Sequence, residues 1–442
     1  MVLESLTFLF LFLPASMLVY YLCPNRAKNA ALTGISLAFW ALADWWAMVL
    51  LVTSVLVDYA LAVGIVRAGG DLRRRKLLML LCVGKNLGLL ALFGSLAQLG
   101  YLASPLGLTV CTMTSLGYLI DIYRGDAPLE RDLSRFLLLC VFFGKLWAGP
   151  VISYGYLQPY LEHKELSLSG IGRGMSLFVL GLGKKVILAG GSLSLCSQVQ
   201  QLPAEETSVL SVWLLVISFT FSLYFSISGF CDMARGLAKI FALELPENFY
   251  YPFQSRTVTD FFHRFNITVN RFFEEYVFLY LGGAQNGVAA TILNTLVTAM
   301  LMGLWFGIRL NYLAWGVYIA CFMLLERYWL EKYLSRIPPI FDRIYTFAVV
   351  ILSFAIFAAP TLPQGFGYLK VMFGLCDLPM ATARVLYLIR TNYLLLLLCF
   401  FSCTSLVSLG WEWLEQRFPS ASHGMAVGCS ALLAVVTVAF IL

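Results

Sequence analysis

Apolar runs of about 20 residues, the length that crosses a hydrocarbon core, recur along almost the whole chain. They lie near 2–22, 31–66, 77–96, 101–120, 133–151, 171–190, 208–229, 288–308, 309–330, 343–360, 391–410 and 424–442, and the 31–66 run is long enough for two. The pattern predicts about ten to thirteen membrane helices. A turn near Asp44 would fold the 31–66 run back on itself, with Trp45 and Trp46 at an outer interface. The first run carries only Glu4 and lacks a basic start, so it reads as a membrane helix rather than a cleavable leader. No polar stretch is long enough for a soluble domain, and no internal repeat or linker interrupts the series. The expectation is one membrane domain over 1–442.

The pattern changes between Ser228 and Gly283, where charge density rises sharply. This stretch holds Asp232, Arg235, Lys239, Glu244, Glu247, Arg256, Asp260, His263, Arg264, Arg271, Glu274 and Glu275. Ionisable groups at membrane depth are costly and usually face a cavity or each other. Pro246 and Pro252 leave "ENFYYPF" irregular. Beyond it, Val258, Phe261, Phe262, Phe265, Val269, Phe272, Phe273 and Tyr276 return at helical spacing. This predicts one amphipathic helix in the interface or along a cavity. Asp260 with Arg264 and Arg271 with Glu275 are spaced to pair on it.

Composition agrees. Of 442 residues, 60% are apolar and 12% charged, and the mean hydropathy is +0.83. That excludes a water-soluble core with a polar shell. The net charge of +6 comes from links between apolar runs, not from a nucleic-acid face. "RAGGDLRRRK" (67–76) is the most basic link and is expected on the cytoplasmic side of the plasma membrane. Arg26, Lys28 and the 121–135 link would share that side, leaving the N-terminus outside. The eleven cysteines, mostly in apolar runs, form no CxxC and read as small buried hydrophobes. Cys231 in "SGFCDM" reads as inert rather than nucleophilic. No metal-ligand spacing is present. Of the three histidines, His163 and His423 fall in short polar links and only His263 lies in the charged stretch.

Several stretches taken in order resemble the membrane-bound O-acyltransferase family, in particular its bacterial members for alginate O-acetylation and teichoic-acid D-alanylation. They are "PLGLTVCTMTSLGYLIDIYRG" (105–125), "FFGKLWAGPVISY" (142–154), "SGFCDMARGLAKIFALELPENFYYPF" (228–253), "RTVTDFFHRFNIT" (256–268), "YLGGAQNG" (280–287), "GLWFG" (303–307) and "RIYTFAVVIL…YLKVMFG" (343–374). The family-like core runs roughly over 105–375. The resemblance implies an all-α ring of tilted helices around a tunnel that crosses the bilayer. It implies an acyl donor, acyl-CoA or an acyl-carrier protein, entering from the cytoplasm, with no cofactor resident. A hydroxyl acceptor would come from the other side, and a membrane-buried histidine would be the general base, a role suited to imidazole. Membrane lipids and an extracellular acetyltransferase or polymer-export protein would be its partners.

The chain departs from the family where that chemistry is expected. The family motif Gly-Leu-Trp-His-Gly is "GLWFG" here, with Phe306 next to Trp305 at the histidine position. The motif ending Trp-His-Ile is "RFNI", with Asn266 at the histidine. A third histidine aligns with Ile319 and a later arginine with Ala358. None of these side chains accepts a proton near neutral pH. His263, about one helical turn before Asn266, is the candidate substitute base. Asp232, Arg235, Asn248, Arg256, Asp260 and Arg264 match positions that frame the donor entrance, or form an ion-pair network that holds the broken segment. Arg309 is a candidate anion contact or an interface anchor.

Three functions follow. One is a degenerate family member serving an acylation or polymer-export complex, with the tunnel filled by Phe306 and its neighbours. The second is an active O-acyltransferase using His263 or a carboxylate. The third is a transporter or lipid-handling protein with a wet path along Arg309 or Lys145.

Overall fold

The computed structural model describes residues 2–101, 104–334, 336 and 338–442, apart from the side chains of Ser420, Ala421 and His423. Among these residues every regular element is helical, with one isolated antiparallel bridge between Phe249 and Phe265. Eight helices are long and apolar enough to cross a membrane, or nine if the bent pair Ala383–Thr391 and Tyr393–Ser402 is one span. The protein is therefore an all-α, multi-pass membrane protein.

The chain divides into two compact units. The first comprises 1–182, 230–247 and 438–442. It holds α1 (Leu13–Leu22), α2 (Lys28–Arg67), α3 (Leu72–Gln98), α4 (Leu108–Arg124), α5 (Leu133–Val141), α6 (Tyr154–Glu162) and α7 (Leu168–Gly183). The predicted break at Asp44 is present in α2: its backbone is extended and its carboxylate accepts the Ala47 N–H at 3.1 Å. At about 1.5 Å per residue, 40 residues would overshoot a bilayer twofold, so this break makes two helices of one run. Trp45 and Trp46, both exposed, stack beside it.

The run at 133–151 is not a span. α5 ends at Val141 and the chain turns through Phe143–Lys145. Lys145, 1% exposed, donates to Thr114 Oγ1 at 3.3 Å and to the Leu139 carbonyl. The helix stops because the backbone at Phe142 (φ −52°, ψ 119°) leaves the helical region. The core of this unit is aromatic: Phe8, Phe39 and Phe143 pack with ring centroids 5.5–6.2 Å apart. Asp58, fully buried on α2, meets Lys85 of α3 at 2.7 Å and accepts from Asn86 at 3.0 Å. This is the paired arrangement that a charge inside an apolar run demands.

The second unit comprises 183–229 and 248–437. Its elements are α8 (Gly190–Gln200), most of α9 (Val209–Ile240), α10 (Val258–Arg264), α11 (Ile267–Phe273), α12 (Val288–Phe306), α13 (Leu310–Leu325), α14 (Glu331–Leu334), α15 (Pro339–Ala358), α16 (Leu362–Met372), α17 (Ala383–Thr391), α18 (Tyr393–Ser402), α19 (Leu406–Arg417) and α20 (Pro419–Ile441). His423 thus falls within a helix, not in a link; His163 does follow α6 as an exposed link residue. α12 and α13 form a tight antiparallel pair. A Cβ on Gly303 would meet the Tyr312 carbonyl at 2.2 Å, and one on Gly316 would meet the Ala299 carbonyl at 2.3 Å. The two glycines let the backbones touch where larger residues would force them apart.

Candidate functional site

The predicted single helix at 258–276 is two helices. The chain from Leu243 to Tyr251 is irregular, as Pro246 and Pro252 require. Asn248 then stitches it to the next segment. Its Nδ2 donates to Asn266 Oδ1 at 2.8 Å, its carbonyl accepts the Ile267 N–H at 2.9 Å, and its Oδ1 accepts the Thr268 N–H and hydroxyl at 2.8 and 2.9 Å. Asn266 takes up the left-handed conformation (φ 53°, ψ 52°) and separates α10 from α11. Asparagine enters that region more readily than most residues. The apolar spacing runs straight through the break, so it gave no warning.

α10 is capped twice. Thr257 Oγ1 accepts the Asp260 N–H at 2.9 Å. Glu326, in the π-helical turn Glu326–Leu330 after α13, accepts the Val258 and Thr259 N–H groups at 2.7 and 3.3 Å. A carboxylate at a helix start satisfies orphan donors and the helix dipole together. Asp260 and Arg264 pair at 2.8 Å, as their spacing predicts, and the Arg264 guanidinium lies 5.8 Å from the Tyr250 ring.

The positions that the resemblance assigns to family histidines converge in this unit. Asn266 and Phe306 border one gap of about 10 Å³ with Phe262, Phe265, Met302 and Trp315. That is at or below the room one water molecule needs. Phe306 stands edge-on to Trp305, Trp315 and Phe357 at 4.7, 5.8 and 5.1 Å between centroids. Trp315 Nε1 donates to Ser353 Oγ at 3.1 Å, and Asn311 Nδ2 donates to the Ala359 carbonyl at 2.9 Å, tying α13 to α15. The Asn266 side-chain Oδ1 accepts from Asn248 Nδ2. Ile319 is fully buried one turn beyond Trp315, and Ala358 ends α15. The indole N–H of Trp305 is buried without a hydrogen-bond partner.

A second cavity, about 860 Å³, shares the walls Phe262, Asn270 and Met302 with this gap. Arg256, His263, Glu274, Glu326 and Asp342 also line it. His263 is exposed and lines this cavity, not the small gap, although it lies three residues from Asn266. Glu326 and Asp342, each 4% exposed, escaped the sequence reading. The one signal for Glu326 was a carboxylate just inside an apolar run. Asn270, which donates to the Phe265 carbonyl at 2.7 Å, gave none.

The remaining predicted residues distribute as follows. Asp232 and Arg235 belong to the first unit and meet at 3.4 Å; Arg235 also reaches Glu247 at 3.3 Å. Asn248, Arg256, Asp260 and Arg264 belong to the second. Arg235, through Glu247, and Asn248 thus make polar bonds at adjacent residues in the middle of the irregular segment. Arg309, exposed, precedes α13 and borders neither cavity. Among the described residues no group of three or more His, Cys, Asp or Glu side chains is placed to hold a metal ion.

An all-helical membrane fold with this site belongs to a known class. A profile described as MBOAT, the membrane-bound O-acyltransferase family, matches residues 130–348. The chain is also 30% identical to the "Probable alginate O-acetylase AlgI" of Pseudomonas aeruginosa over 84% of this chain and 75% of that protein. It is 27% identical to the "Peptidoglycan O-acetyltransferase" of Helicobacter pylori over 88% of this chain and 84% of that one. Against the "Teichoic acid D-alanyltransferase" of Bacillus subtilis, identity is 26% over 58% and 69%. The chain belongs to the membrane-bound O-acyltransferase family.

Proposed function

We propose that this chain is a plasma-membrane member of the family that serves O-acetylation of an exported polysaccharide or cell-wall polymer, with the usual general-base step silent. The relatives named above act on such polymers. The observation that carries the degenerate reading is the small gap: Phe306 and Asn266 border a space of about 10 Å³, and neither side chain takes a proton near neutral pH. Losing a general base costs about 10²–10⁴ in rate. On this reading 1–442 acts as one domain with its N-terminus outside, and acyl-CoA or an acyl-carrier protein approaches from the cytoplasm. An extracellular acetyltransferase or a polymer exporter completes the transfer. The test is acyl transfer by membranes carrying wild type or Phe306→His with Asn266→His. Wild-type activity equal to that of the alginate relatives, unchanged by His263→Ala, sinks the reading.

One observation favours a second reading. His263 shares an open cavity with Glu326 and Asp342, the surroundings a substitute base needs. If wild-type activity is high and His263→Ala removes it, this reading replaces the first. Neither Arg309 nor Lys145 borders either cavity, so no observation speaks for transport.

A further inference from the structure

In the first unit, the N-terminal ends of α2 and α5 meet the chain leaving α6. Asn29 Nδ2 donates to the Leu161 carbonyl at 2.8 Å, and Thr33 Oγ1 donates to the Ser134 carbonyl at 3.0 Å. Helix starts present unpaired N–H groups and partial positive charge, and so favour anions. Here they carry cations instead. Lys28 is the first residue of α2 and its N–H is taken by the Asn25 carbonyl of the preceding turn, so its side chain is what it offers. It is 2% exposed, with Nζ 5.0 and 5.5 Å from the Tyr20 and Tyr21 rings. Arg135 lies in the first turn of α5. Lys164, three residues past Leu161, has its Nζ shut off from solvent with no hydrogen-bond partner.

The acids nearby are already engaged. Glu130, 3.8 Å from Arg135, accepts from Tyr154 OH at 2.7 Å and from the Asp132 N–H at 2.9 Å. Asp132, 3.6 Å from Arg135, caps α5 through the Ser134 N–H at 2.8 Å. Glu162 accepts from Gln158, and Glu165 is exposed. Neither lysine has a carboxylate partner among the described residues. Burial, with the Arg135 and Lys28 charges behind it, pulls Lys164 down to about 7. Buried cations without a counterion are what an anion site looks like when empty. Asn29 Oδ1, also buried without a partner, is an acceptor that the hydroxyl of a hydrogen phosphate or a glycerol headgroup satisfies.

We propose that Lys28, Arg135 and Lys164 bind a phosphate group, either free phosphate or the headgroup of an anionic lipid. The full chain in zwitterionic detergent is titrated with inorganic phosphate against chloride of equal ionic strength. In parallel it is reconstituted into phosphatidylcholine vesicles with and without phosphatidylglycerol. The wild type should unfold at higher temperature with one of these probes. Lys164→Met and Lys28→Met should each weaken the response at least about tenfold, the loss of a charge-assisted hydrogen bond. A response to phosphate assigns a free anion; a response to phosphatidylglycerol alone assigns a lipid. No response to either, or variants that respond like the wild type, overturns the site. Should Lys164→Met fail to fold, peptide mass spectrometry of wild-type Lys164 treated with an amine-acetylating reagent decides. Protection by either probe supports the site, and its absence refutes it.

Discussion

The small gap and the large cavity share Phe262, Asn270 and Met302 as common walls, yet they differ in size and in lining. The gap is lined by rings beside Asn266 and Phe306, with the Asn266 Oδ1 held by Asn248. The cavity is large, and His263, Glu326 and Asp342 reach it. The contrast shows that the position of a side chain along a helix says little about which space it serves: His263 and Asn266 are neighbours in sequence and face different chambers. It also shows where change is tolerated. Filling the gap with an aromatic ring gains packing, whereas the cavity retains titratable groups.

Reopening the gap is the strongest test of that contrast. Phe306→His with Asn266→His should raise acyl transfer by about 10²–10⁴ over the wild type if the lost base alone is limiting, read as acetyl incorporation into polymer. Next in size, Trp315→Ala removes a buried ring that lines the gap and should cost about 3–5 kcal/mol of stability, read from unfolding in mixed micelles. On the cavity side, Glu326→Ala removes one of the two caps of α10 and leaves the Val258 and Thr259 N–H groups unpaired. It should cost about 1–3 kcal/mol and speed backbone exchange at Val258 and Thr259. Asp260→Asn, which loses only a half-exposed pair, should cost well under about 1 kcal/mol. If Asp260→Asn proved as damaging as Trp315→Ala, the gap would not be the rigid side.

A further test uses pH. With Lys164 lowered to about 7 from its ordinary 10.5, the unfolded chain holds the extra proton between these values. Stability therefore rises with pH across that window. In phosphate-free buffer and neutral lipid, Lys164→Met should stabilise the protein more at pH 7 than at pH 10.

The membrane class was legible because spans are long and their apolar runs need no tertiary information. The Asp44 break, the irregular segment around Pro246 and Pro252, and the Asp260–Arg264 pair were legible for a like reason: each is decided within a few residues. The split at Asn266 was not, because Asn248, distant in the chain, enforces it through four hydrogen bonds. Glu326 was overlooked because its partners, Val258 and Thr259, lie far from it in sequence. The end of α5 at Val141 was missed because the 133–151 run reads as apolar around a single lysine, and nothing local shows that Lys145 turns inward.

The backbone at 266 narrows the alphabet of that position. A φ of 53° is most readily held by glycine, asparagine, aspartate or histidine, and badly by branched or bulky side chains. An exchange of histidine for asparagine there keeps the corner and discards the proton acceptor, so shape and chemistry are inherited separately. The path back is correspondingly short: a single codon's worth of change at 266 would return an imidazole to the bend without asking the main chain to move.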